Sequence, residues 1–283
     1  MKAKLRETEL YFDIESLGLV PRGAKMAEKP TAFLIHGGPG VDHSSYKPLF
    51  SNLTDLLQLV YFDHRGQGRS ARGNPATYTL ENNVADLEEL RDYLGLEKIV
   101  LIGSSYGGMV ALTYATRYPD RVQSLIVMAT AASYRFLAQA KQNLAKIGTA
   151  AQIAMAEHLW QGTFKDEQHL RQYFQVMASL YSQTYDPSSA ADSFQRTIFS
   201  VEAINLAFRT FLREFDLSNQ LERIKSPTLV IGAREDWICP PEFSQEIAAK
   251  IPDSTLKILS NCGHLIRVDQ PERLIREIRH FLT

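Results

Sequence analysis

An apolar run, Lys98 to Ile102, leads directly into Gly103-Ser104-Ser105-Tyr106-Gly107, and a helical pattern from Met109 to Arg117 follows. Few features restrict a chain more. A strand that becomes a helix within five residues needs glycine on both sides, because side chains at Gly103 and Gly107 would collide in so tight a turn. The central residue, Ser105, is then strained, with its hydroxyl raised above a sheet edge and at the start of a helix. Ser104 is the neighbour to confuse with it, but only Ser105 holds the middle position.

Strand-like and helix-like segments alternate through the rest of the chain, as a mostly parallel sheet requires. Glu9 to Ile14 and Thr31 to Ile35 read as strands joined by a polar turn with glycine and proline, and Leu57 to Phe62 as a third. Leu80, Val84, Leu87, Leu90 and Leu94 recur at helical spacing, and Val122 to Met128 reads as a strand. The pattern then changes. Residues 131–223 are helical in character, with alanine, glutamine and many aromatics, among them Trp160, Phe174, Phe208 and Phe215. We read them as a helical cap whose aromatics form its own core and an apolar underside above a cleft. Strands return at Pro227 to Gly232 and Thr255 to Leu259, with helices at Glu242 to Ile251 and Pro271 to Leu282. The expected organisation is an α/β core of residues 1–130 and 224–283, with helices on both faces of the sheet and the cap inserted.

Composition narrows the partners. The 283 residues carry a net charge of −1, so no long-range attraction draws the chain to nucleic acid or an anionic membrane. A small molecule or short peptide of roughly neutral charge is the better substrate. Cys239 and Cys262 are too few for a disulfide framework, and two reduced thiols are expected. The first residues show no secretory pattern and no apolar run reaches membrane-spanning length, which together point to the cytoplasm. No glycine-rich phosphate loop and no histidine pair at metal-ligand spacing appears, so neither cofactor nor metal is expected.

Serine is a poor nucleophile without a base and an acid that orients the base. Asp236 lies just after the strand ending Ile231-Gly232, and His264 just after the strand ending Leu259. Both fall at carboxyl ends of strands, where ligands bind in such sheets. His264 would take the proton of Ser105, and Asp236 would hold the imidazole. Spacing does not separate Asp236 from the adjacent Glu235. Of the other histidines none follows a late strand with glycine before it, and His36 and His64 are read as structural hydrogen-bonding residues. The third component is a loop, His36-Gly37-Gly38-Pro39-Gly40, after the strand ending Ile35. The N–H groups of Gly38 and Tyr106 are the expected oxyanion donors, each typically worth about 3 kcal/mol of the barrier.

With these motifs in view, the chain resembles the proline iminopeptidases and their relatives among the α/β-hydrolase serine peptidases. His36-Gly37-Gly38-Pro39-Gly40 is similar to their HGGPG signature, and Asp63 to Ser70 to their DQRGxGxS segment with His64 in place of glutamine. Gly-Ser-Ser-Tyr-Gly-Gly matches their GGSWGG with two changes. The resemblance implies an α/β-hydrolase fold and release of an N-terminal proline or small residue from a peptide or amide. It also implies glutamates that bind the free amine, from the cap or beside the triad. Some members carry glutamate directly after the triad aspartate, where this chain has Trp237. Glu157, Glu202 and Glu214 lie in the cap, and Glu202 and Glu214, in its last helical stretch, are named with Trp237 as substrate-binding residues. The rival reading is an esterase or lactonase acting on an uncharged acyl substrate, and a third is a ligand receptor without turnover. A buried carboxylate facing Ser105 would separate the first from the second.

Overall fold

The computed structural model describes the backbone of residues 1–283 and every side chain except those of Ser189 and Ala190. The strands are β1 (Lys2–Lys4), β2 (Glu9–Glu15), β3 (Leu19–Arg22), β4 (Lys25–Glu28), β5 (Thr31–Ile35), β6 (Gln58–Phe62), β7 (Ile99–Ser104), β8 (Val122–Met128), β9 (Thr228–Ala233) and β10 (Ser254–Leu259). The helices are α1 (Leu80–Tyr93), α2 (Tyr106–Arg117), α3 (Arg135–Ile147), α4 (Ala150–Gln161), α5 (Glu167–Tyr181), α6 (Pro187–Arg196), α7 (Val201–Arg209), α8 (Pro241–Lys250), α9 (Ile266–Asp269) and α10 (Pro271–Leu282).

Eight strands form one sheet in the order β1-β2-β6-β5-β7-β8-β9-β10. β1 and β2 pair antiparallel and every pairing from β6 to β10 is parallel. Alternate residues of the parallel strands serve two separate cores. Phe33, Ile35, Leu101 and Val127 pack with α1 and α2, whereas Leu34, Val100, Ile102 and Ile126 pack on the opposite face with Leu274 and Ile278 of α10. Both faces are covered, which is why these strands read as unbroken apolar runs rather than alternating ones.

Helices α3 to α7 fill the interval between β8 and β9, with an isolated bridge between Ser133 and Asp216 at its base. Their limits are written locally. Thr149 and Gln152 form a reciprocal capping box at the start of α4, and Gly162 ends it at a φ of 62°.

Two features escaped the sequence reading. The segment expected to be a turn between the first two strands contains the β3–β4 hairpin, a separate two-stranded ribbon. Its residues are largely exposed and include Pro21, so neither alternation nor burial marked it. β1 was likewise too short to register. Both cysteines are free and buried, as expected of reduced thiols. Among the described residues no helix is long and apolar enough to cross a membrane.

Candidate active site

The chain runs from β5 to β6 on one side of the sheet and later places β7 on the other side of β5. Strand order therefore reverses between β5 and β7, and a crevice opens at their carboxyl ends. The loop after β5 and the turn after β7 meet there. Gly37 lies so close to the turn that an added Cβ would sit 3.1 Å from the Ser104 carbonyl oxygen and 3.3 Å from the Ser105 Cβ.

Ser105 has φ 55° and ψ −123°, a conformation that side chains other than glycine rarely adopt. Gly103 and Gly107 make it attainable. A Cβ on Gly103 would meet the Gly107 carbonyl oxygen at 2.3 Å, and one on Gly107 would meet the Ile35 carbonyl oxygen at 1.9 Å. The second clash is with the neighbouring strand, not with the turn itself. His264 Nε2 lies 3.0 Å from Ser105 Oγ, and His264 Nδ1 lies 2.8 Å from Asp236 Oδ2. The other oxygen of Asp236 accepts from the amides of Ile238 and Cys239 at 2.8 and 3.0 Å. With Nδ1–H donating to the carboxylate, Nε2 is free to accept from the serine hydroxyl. Glu235 is engaged elsewhere: its carboxylate accepts from the Cys262 amide at 2.8 Å and braces the loop that carries His264.

The amides of Gly38 and Tyr106 have no acceptor within the protein among the described residues. His36 sets the loop that bears the first of them. Its Nδ1 donates to the Gly37 carbonyl at 2.9 Å and its Nε2 accepts from the His64 amide at 3.1 Å. Gln67 accepts from the Gly40 amide at 2.7 Å, and the Gly40 carbonyl accepts from Ser200 at the start of α7 at 3.0 Å. The Asp63–Ser70 segment is thus a brace for the glycine loop. Tyr46, which sequence reasoning passed over, donates to the Ile35 carbonyl at 2.7 Å and accepts from the Ser104 amide at 3.2 Å.

His64 departs from expectation. It is buried, but among the described residues neither ring nitrogen has a partner. It packs against the rings of His36, Phe62 and Tyr106. Burial, with the neighbouring His36, pushes its pKa well below the usual histidine value, and burial lowers that of His36 too. Both rings favour the neutral form more strongly in the folded than in the unfolded chain. Their contribution to stability is therefore present above about pH 6.5 and is lost as pH falls below it, by at most about 1.4 kcal/mol per pH unit for each ring. His64→Phe is expected to make this decline shallower by one proton. Urea midpoints at pH 7.5 and 5.0 measure it, and an unchanged slope would contradict the assignment.

Above Ser105 lies a cavity of about 950 Å³, counting its open mouth. Its roof is apolar: Phe136 of α3, Leu159 and Trp160 of α4, Phe174 of α5, and Ile204 and Phe208 of α7. Among the described residues, none that lines it carries a carboxylate. Glu202 and Glu214, expected to face the cleft, are exposed and off its wall, as is Glu157. Helix α7 docks through Ala203, Ile204, Ala207 and Phe208, so Glu202 turns outward. Trp237 is also corrected. It is buried behind the wall, its ring meeting Trp160 and Tyr181 edge-on, while those two line the cavity. Among the described residues no cluster could hold a metal ion.

A family model described as the alpha/beta hydrolase fold matches residues 30–271. Proline iminopeptidase PfmaB of Pestalotiopsis fici is 32% identical over 279 residues, spanning 96% of this chain and 98% of the relative. Two solved structures are similar along their whole length. A thermophilic esterase from Thermogutta terrifontis has a TM-score of 0.72 and 26% identity, covering 100% of this chain and 97% of its own. A proline iminopeptidase of Mycobacterium smegmatis has a TM-score of 0.76 and 22% identity with the same coverage.

Proposed function

Since this chain belongs to the α/β hydrolase fold family, and within it to the relatives of the proline iminopeptidases, we propose that it is a serine hydrolase acting on esters or amides of a small, apolar, uncharged acyl group. One observation carries the reading. The hydrogen-bonded series Ser105–His264–Asp236 opens onto a cavity whose roof is apolar and whose wall, among the described residues, holds no carboxylate. Residues 131–223 act as a cap on a core of residues 1–130 and 224–283, because α3, α4, α5 and α7 supply that roof.

The chemistry is acyl transfer. Ser105 Oγ attacks the carbonyl carbon while His264 Nε2 takes its proton, and Asp236 stabilises the imidazolium through Nδ1. The N–H groups of Gly38 and Tyr106 donate to the carbonyl oxygen as it gains negative charge. His264 returns the proton to the departing alcohol or amine, leaving an ester on Ser105. Water, deprotonated by the same histidine, then releases the acid and restores the serine. The two free, buried thiols suit the reducing cytoplasm.

An aminopeptidase of the proline iminopeptidase type is the second reading, favoured by the PfmaB relative and the His36–Gly40 signature. A prolyl ring is small and apolar and suits the same roof, but a wall without a carboxylate favours its amine in the neutral form. A side-by-side comparison of butyryl nitrophenyl ester, prolyl and alanyl anilides and N-acetylprolyl anilide tests the order. The ester is expected to be the fastest, and acetylation to leave the prolyl rate little changed. Fast cleavage of the free-amine anilides, abolished by acetylation, would put the aminopeptidase first.

A further inference from the structure

Among the described residues that line the Ser105 cavity, Arg267 is the one permanently charged side chain. Its Nε donates to the Ser45 carbonyl at 3.0 Å, which fixes the guanidinium. Among the described residues neither Nη group has an acceptor and no carboxylate pairs with it. The residue also lines a second cavity, which shares Val41, Ser45, Phe174, Tyr181 and Leu265 with the first. The nearby phenol of Tyr46 does not supply a negative charge, because burial pushes its pKa up. A half-buried guanidinium held by one backbone contact is costly unless something anionic completes it. Its planar fork fits a carboxylate through two parallel hydrogen bonds.

The two cavities differ in character. Both are largely apolar, the second being walled by Pro48, Phe194 and Phe199 among others, but it also carries the charged side chains of Lys47, Asp186 and Arg196, of a kind that among the described residues the first has only in Arg267. The acyl half of a substrate fits under the uncharged roof, and the half that departs extends past Arg267 into the cavity that carries the charges.

We propose that Arg267 binds a carboxylate on the leaving half of the substrate, so that the natural substrate is an apolar acyl ester or amide of a carboxylate-bearing alcohol or amine. The proposal rests on the acyl-Ser105 reading. A short peptide with a free C-terminus and an O-acyl hydroxy acid both meet this description.

Butyrate esters of 4-nitrophenol and of 3-carboxy-4-nitrophenol differ in the leaving group by one carboxylate. Wild-type protein is expected to favour the carboxylated ester by about tenfold or more in kcat/KM. The ratio should fall to about one in Arg267→Gln and recover in part in Arg267→Lys. A wild-type ratio of one or less, or a ratio that Arg267→Gln leaves unchanged, overturns the proposal. A binding measurement separates this from the chemistry. On Ser105→Ala protein, 3-carboxy-4-nitrophenol should bind about tenfold more tightly than 4-nitrophenol, and the double variant with Arg267→Gln should lose the difference. Discriminating binding without hydrolysis of either ester would support the carboxylate site while refuting the serine hydrolase reading. Equal binding of the two phenols would refute the site.

Discussion

Ser105→Ala is expected to lower kcat on butyryl nitrophenyl ester on the order of a millionfold while the fold stays intact. The loss follows from geometry. His264 Nε2, 3.0 Å from Ser105 Oγ, would have no hydroxyl to deprotonate, and no acyl-enzyme could form. The fold should survive because alanine meets the same positive φ as serine and the hydroxyl supports no other element. Asp236→Asn should cost about ten-thousandfold, since an amide favours the wrong imidazole tautomer. Glu235→Gln should act on stability rather than rate, because its carboxylate holds the Cys262 amide and not the histidine. Circular dichroism and initial rates on the purified variants decide the matter. Full turnover by Ser105→Ala would end the assignment of the nucleophile.

Gly107→Ala should have the second large effect, and on folding rather than chemistry. Its Cβ would lie 1.9 Å from the Ile35 carbonyl oxygen and 2.7 Å from that of His36. Both belong to backbone at the end of a central strand paired on both sides, so neither can yield cheaply. Relief would require α2 to move off the sheet, opening the core formed by Met109, Val110 and Leu112 against Phe33 and Leu101. A cost above about 4 kcal/mol is expected, a large part of the ~5–15 kcal/mol that stabilises a typical domain. Gly73→Ala is the control, since nothing lies within 4 Å of a Cβ there. Soluble yield and Tm of the two variants would show it. A Gly107→Ala protein melting with the control would mean that the strand–helix approach is looser than these distances.

Much of the site was legible along the chain because its geometry is local. The elbow announces itself through glycines that a strand-to-helix turn demands, and Asp236 and His264 through their places after strands. Glu202 and Glu214 were expected over the cleft from their place in the last helical stretch of the cap, and both are exposed off its wall. The pattern Ala203, Ile204, Ala207, Phe208 already marks the inward face of α7, and Glu202 lies about 200° round the helix from Ile204. That signal was available. For Ser45, Tyr46 and Arg267 no comparable signal exists: they sit in short segments without long periodicity, and their importance comes from what packs opposite them.

The sequence by itself determined where a strand turns into a helix, which serine is strained and which residues stand after the late strands, whereas the choice between Asp236 and Glu235 needed the structure. Steric exclusion and apolar periodicity act within about ten residues, and a linear reading captures them. Only the tertiary structure decided that β5 lies between β6 and β7, and that among the described residues the wall above Ser105 has Arg267 as its charged side chain and no carboxylate. Those outcomes depend on which faces are buried against segments distant in the chain, from 27 residues for β5 against β6 to 222 for Arg267 against Ser45, and no local pattern encodes that choice.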